Sequence, residues 1–119
     1  LTLAHLNKMD TVGWIMVGLP NFGIARDGCF RCIGCDCTME DGSIVLVAQG
    51  VQDRQPGVDP EPGTEFLADD PVLGTLDIPP VPTRMGSGRM TIRKFEARVN
   101  VLAPDHCRTY VLANIDPNL

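Results

Sequence analysis

The sequence predicts a domain seen here mostly as an antiparallel β-sheet, of α+β class once its apolar face is covered by a helix, and three observations carry that prediction. Runs of Val, Ile and Thr recur between clusters of Gly, Pro, Asn and Asp, the punctuation of strands and turns. Asp41-Gly42 stands between two apolar runs, where glycine supplies the positive φ of a tight hairpin. The third observation is alternation from Met90 to Leu102. Thr91, Arg93, Phe95, Ala97, Val99 and Val101 fall on one face, and Ile92, Lys94, Glu96, Arg98 and Asn100 on the other. From Phe95 onward one face is apolar and the other wet, which marks a half-buried antiparallel strand. Helix signals are poor, so the sheet's apolar face needs a cover, expected as a helix beyond Leu119.

In chain order, Leu1 to Leu6 is the weakest strand, where a helix remnant is the alternative, and Asn7 to Asp10 reads as a turn. Thr11 to Leu19 follows as a strand apolar on both faces, stopped by Pro20. Asn21-Phe22-Gly23 then leads as a loop to Arg26-Asp27. Cys29 to Thr38 and Ser43 to Val51 form the hairpin around Met39-Glu40-Asp41-Gly42, and its second strand is again apolar on both faces. Between Gln52 and Gly88 the chain is rich in Pro, Gly and Asp and loses its periodicity, which reads as a long connection or insertion. Met90 to Leu102 and Cys107 to Ile115 close the sheet, joined at Ala103-Pro104-Asp105-His106.

At 119 residues there is room for one small domain. The chain begins without Met and stops after a strand, so the expectation is a single partial domain over 1–119. Apolar residues make up 44% and charged residues 21%, the mix of a soluble globular protein. No apolar run approaches the ~18 residues of a membrane span, and no signal peptide is legible at Leu1. A net charge of −5 argues against nucleic acid and against purely electrostatic membrane attachment. Picking up a lipid through apolar contacts is compatible with it.

Four of the five cysteines, Cys29, Cys32, Cys35 and Cys37, crowd into one strand. This is not the spread, even spacing of a secreted disulfide framework, so reduced thiols in a cytoplasmic protein are expected. On a strand Cys29, Cys35 and Cys37 share a face while Cys32 points away, so four thiolates cannot converge on a metal. Small buried hydrophobes are the main reading, with a metal site, which would need a broken strand, and redox sensitivity as the alternatives. Catalytic patterns are lacking: there is no Gly-x-Ser-x-Gly elbow and no His-Glu-x-x-His, and His5 and His106 lie at expected strand ends. Gly86-Ser87-Gly88 lacks the Lys and helix of a phosphate loop and reads as a flexible turn. No enzyme, cofactor or metal site is expected.

The ordered set of motifs resembles the START lipid-transfer domains. Arg26-Asp27 looks like the family's Arg-Asp, and Asp41-Gly42-Ser43-Ile44-Val45-Leu46-Val47 like the hairpin that follows it. Thr91-Ile92-Arg93 looks like the valine-arginine-alanine strand. Thr109 to Pro117, ending Ile115-Asp116-Pro117, looks like the last strand. Two departures stand out: Gly28 occupies the place of an aromatic after Arg-Asp, and the Gln52–Gly88 stretch is longer than usual. The resemblance implies a helix-grip fold, with a bent sheet around a C-terminal helix and one lipid, of sterol or phospholipid class, in the tunnel between them. It also implies transient membrane contact. The lipid-facing candidates are Phe95, Val99, Val101, Thr109 and Val111 by alternation. Trp14 either lines the tunnel or packs the sheet's other side. Arg26, with Asp27, either fixes loop to strand or orients a head group. Arg84, Arg89, Arg93, Lys94 and Arg98 read as a solvated basic face, with a membrane-facing patch as the alternative. The competing functions are a START-like enzyme of cyclase or aromatase type and a cavity-less interaction domain.

Overall fold

β-Branched residues favour pleated, half-buried backbone, and in the computed structural model most of those described lie in strands. The structure describes residues 2–52, 59, 63–66, 71 and 73–118. The strands are β1 (Thr2–Asn7), β2 (Asp10–Leu19), β3 (Ile24–Cys37), β4 (Ser43–Gln52), β5 (Thr64–Phe66), β6 (Ser87–Arg89), β7 (Thr91–Ala103) and β8 (His106–Asp116). One sheet runs in the order β1-β2-β3-β4-β7-β8, with every neighbouring pair antiparallel. The two short strands add to it in parallel: β5 beside β4 and β6 beside β3. A four-residue helical turn, α1 (Thr38–Asp41), is the one α-helix among the described residues. The architecture is therefore a sheet-rich one, compatible with α+β.

Several expectations shift by a few residues for identifiable reasons. The first strand forms, because its backbone pairs with β2 from Thr2↔Gly13 to Asn7↔Asp10. Pro20 does not open a loose loop. It starts a single 3-10 turn, Pro20–Phe22, which Gly23 ends at φ 62°. The strand expected from Cys29 starts earlier and takes in Arg26-Asp27: β3 begins at Ile24, and its first half is held by β2 (Leu19↔Ile24 through Gly13↔Phe30). The expected hairpin is present, with α1 as its connection and Gly42 at φ 73° as the left-handed exit. Asp36 accepts from Thr38 N (3.0 Å) and Thr38 Oγ1 (2.6 Å), and Asp41 Oδ1 accepts from Ser43 N (3.0 Å), so carboxylates satisfy the turn's free donors.

The Gln52–Gly88 stretch is more ordered than its composition suggests, although 53–58, 60–62, 67–70 and 72 lie outside the described residues. Gly86 takes φ 81°, and the next residues are not a flexible turn. Ser87, Gly88 and Arg89 pair in parallel with Ala25, Arg26 and Asp27. This is possible because β4 pairs with β3 only up to Phe30↔Gly50. Beyond that point β6 takes the place beside β3, and Met90 N donates to Asp27 O at 2.8 Å. The exchange of neighbours is tight. A Cβ on Gly50 would stand 2.6 Å from Ile92 O, so only glycine lets the β7 backbone pass.

The core sits at this end of the sheet. Val12 (0% exposed) and Val51 (4%) are packed by Leu3, Leu76 and Ile78, the last two supplied by the Pro-rich segment. The strict alternation expected for β7 is interrupted at two register shifts, the other lying between Val101 and Ala103. A register shift between Ile92 and Lys94 puts Ile92 opposite Ile115, and Ile92 is buried instead of facing water.

Candidate functional site

Register assigns each side chain to a face. Cross-strand partners share a face, and three rows define the site: Ile44–Val99–Thr109, Leu46–Ala97–Val111 and Ala48–Phe95–Ala113. Val101 extends the face opposite Cys107. The structure thus brings Phe95, Val99, Val101, Thr109 and Val111 together on one face of β7 and β8, and β4 continues it with Ile44, Leu46 and Ala48. None of these three rows carries a charge. The opposite face holds Val45–Arg98–Tyr110, Val47–Glu96–Leu112 and Ser43–Asn100–Arg108, with polar groups in each.

Exposure grades across the site. Ala48 and Ala97 are buried, Phe95 and Val99 are half-buried, and Val101 (52%) and Val111 (59%) are exposed. From His106 to Ile115 every residue of β8 is exposed.

Trp14 is not part of this group. It pairs with Cys29 on the opposite face, and its Nε1 donates to Asp27 Oδ2 at 2.8 Å. Asp27 is 1% exposed and is also gripped by Arg89, through Nε at 3.0 Å and Nη2 at 2.8 Å. Burial opposes ionisation of the Asp27 carboxyl, but Arg89 and the Trp14 indole hold it below its ordinary value. Arg89 reaches Pro79 O as well (2.6 Å), which fastens the Pro-rich segment. The sequence reading placed Arg89 in a solvated basic face. Nothing in the sequence distinguishes it from its neighbours, and the only usable signal was that a half-buried indole N–H needs an acceptor.

Arg26 shares the face of Val17 and Cys32, and so that of the three rows, but it stands at the opposite end of β3 from them. Its Nε donates to Pro117 O (2.7 Å), and Nη1 donates to Ala25 O and Gly86 O (both 2.8 Å). These bonds join the start of β3 to the turn before β6 and to the segment after β8. The rest of the supposed basic cluster is largely paired: Arg93 with Asp116 (3.2 Å), Lys94 with Glu96 (3.0 Å) and Arg98 with Asp41. Arg31 grips Asp10 through Nε (3.0 Å) and Nη2 (2.7 Å). His5 is not at a strand end: it pairs with Thr11 inside β1, while exposed His106 opens β8.

The cysteines divide as alternation requires. Cys29, Cys35 and Cys37 share the polar face, and Cys32 pairs with Ala48 on the apolar one. Cys29 is buried, whereas Cys35 and Cys107 are exposed, so burial does not describe the whole set. Burial pushes the Cys32 thiol up, aided by the Asp10 carboxylate. No group of three or more candidate metal ligands occurs among the described residues. Nor is any described helix long and apolar enough to cross a membrane. Compared with known proteins, the chain matches no family model, no curated protein and no solved structure.

Proposed function

We propose that the chain is the β portion of a START-type, helix-grip domain that binds one lipid, of sterol or phospholipid class, without catalysis. It acts as a cytoplasmic carrier or sensor that touches membranes transiently. The lipid rests against Phe95, Val99, Val101, Thr109 and Val111. One observation carries the reading: the segregation of β4, β7 and β8 into an apolar, charge-free face and a polar face. Apolar surface left on a sheet is a binding or packing surface, because water pays it no compensation.

The energy is sufficient. Covering a few hundred Å² of apolar surface at about 25 cal/mol per Å² supplies roughly 5–10 kcal/mol before the costs of association. The ion pairs on the other face leave few polar groups pointing at the lipid, which favours shape and apolar contact over head-group chemistry.

The test is native mass spectrometry of the protein expressed in cells and purified gently, beside a Val99→Trp variant. A co-purifying lipid of defined mass that the variant loses, with circular dichroism unchanged, is the expected result. A bare protein that also ignores added sterol and phospholipid overturns the reading. So does a Val99→Trp chain that folds and keeps the lipid.

A further inference from the structure

Among the five thiols one pair stands in contact. Cys35 Sγ and Cys37 Sγ are 3.5 Å apart, on the polar face at the end of β3. Cys35 is exposed and Cys37 half-buried, so a small reagent reaches them. The other three stand apart from this pair: Cys29 is buried, Cys32 is on the opposite face, and Cys107 is on β8. We propose that Cys35 and Cys37 are a peroxide-responsive dithiol that closes into a disulfide within the strand end.

Closure to a bond of about 2.05 Å brings the sulfurs roughly 1.5 Å nearer. The required movement falls where the ladder ends. Cys37 is the last residue of β3, and at φ −107°, ψ 22° its backbone has already left the extended region to enter α1. Its only rung is with Ser43.

The chemistry assigns the two sulfurs different parts. The Cys35 thiolate attacks one peroxide oxygen and the O–O bond breaks. A sulfenic acid forms at Cys35, and hydroxide leaves as water once protonated. Cys37 then attacks the Cys35 sulfur, the S–OH bond breaks, and its hydroxide takes up the Cys37 proton. The two sulfurs have together lost two electrons to the peroxide, which ends as two waters. Cys37 suits the second step. It is the less exposed of the two sulfurs, so Cys35 meets peroxide first, and the hydrogen bond with Cys35, partial burial and the Glu40 and Asp41 carboxylates push the Cys37 thiol up. The site lies on the face opposite the proposed lipid surface, so it does not depend on that reading.

The experiment treats the dilute chain with hydrogen peroxide, alkylates the remaining thiols and sequences the tryptic peptide Cys32–Arg54 by tandem mass spectrometry. The expected product has lost two alkylation sites, at Cys35 and Cys37, and two hydrogens, with Cys32 still alkylated and dithiothreitol restoring both sites. Cys35→Ser and Cys37→Ser each abolish the product, while Cys32→Ser keeps it. Alkylation retained at both Cys35 and Cys37 overturns the proposal, as does a bond from Cys32 to either one. The unmutated chain alone decides the matter if a variant fails to fold.

Discussion

Val12 and Val111 are the same side chain on strands of one sheet, and their surroundings differ almost completely. Val12 is fully buried among Leu3, Val51, Leu76 and Ile78, whereas Val111 is 59% exposed beside Leu46 and Ala97. The first region closes its own core. β4 swings away at Gly50, β6 slips in beside β3, and the Pro-rich segment is fastened over the sheet by Arg89. The second region consists of a hairpin, β7–β8, attached by one edge. Its apolar rows contribute little to stability as they stand, because most of their surface remains in water. Apolar residues in the first region therefore answer to folding, and those in the second are free to answer to a ligand.

The largest expected effect breaks the first region. Arg89→Ala leaves a carboxylate buried without its cation and releases Pro79, at a cost of about 3–5 kcal/mol in urea unfolding. The same substitution alters the acid limb. Asp27 has a lowered pKa in the folded chain, so its contribution is fully present above the unfolded value of about 3.9 and is lost as pH falls through the folded one. Without Arg89 the acid midpoint rises, because burial then dominates. An unchanged midpoint would show that Asp27 is not the titrating group.

Gly50→Ala comes next. Its methyl meets the Ile92 carbonyl, and backbone cannot rotate aside, so about 1–3 kcal/mol is expected from the same unfolding measurement. The matched valines give the sharpest contrast. Val12→Ala costs about 2 kcal/mol, whereas Val111→Ala stays within about 0.5 kcal/mol. Equal losses in the two variants would mean that the two ends of the sheet do not differ in the way the exposures indicate.

Much of this was legible in the sequence. Phe95, Val99 and Val101 share a face because strand alternation has a period of two and needs no knowledge of partners. Asp41-Gly42 marked the hairpin, since positive φ has few other occupants. Cys32 separated from its neighbours by parity alone. What stayed hidden depended on distant chain segments. Ser87-Gly88-Arg89 carries no strand pattern of its own and becomes a strand because Ala25–Asp27 offers an unpaired edge. Ile92 changed face through a register shift that leaves no composition signal. Parity could place Trp14 on a face but could not say which face held Asp27.

The exchange of neighbours at Gly50 also bears on the order in which the molecule assembles. β1 to β4 is a meander of adjacent strands and β7–β8 is a hairpin, so both form from contacts local in sequence. The joins between these blocks are long-range: Asp27 and Arg89 are 62 residues apart in the chain. Both joins, β6 to β3 and β7 to β4, are made by one continuous stretch running from Ser87 to Ala103. Loop-closure entropy is then met once for two seams, and the second zips after the first. By this logic the length of the chain between Gln52 and Ser87 sets the pace of folding only weakly, since each doubling adds about 0.6 kcal/mol. The sheet can tolerate a long excursion there because a single encounter brings the chain back.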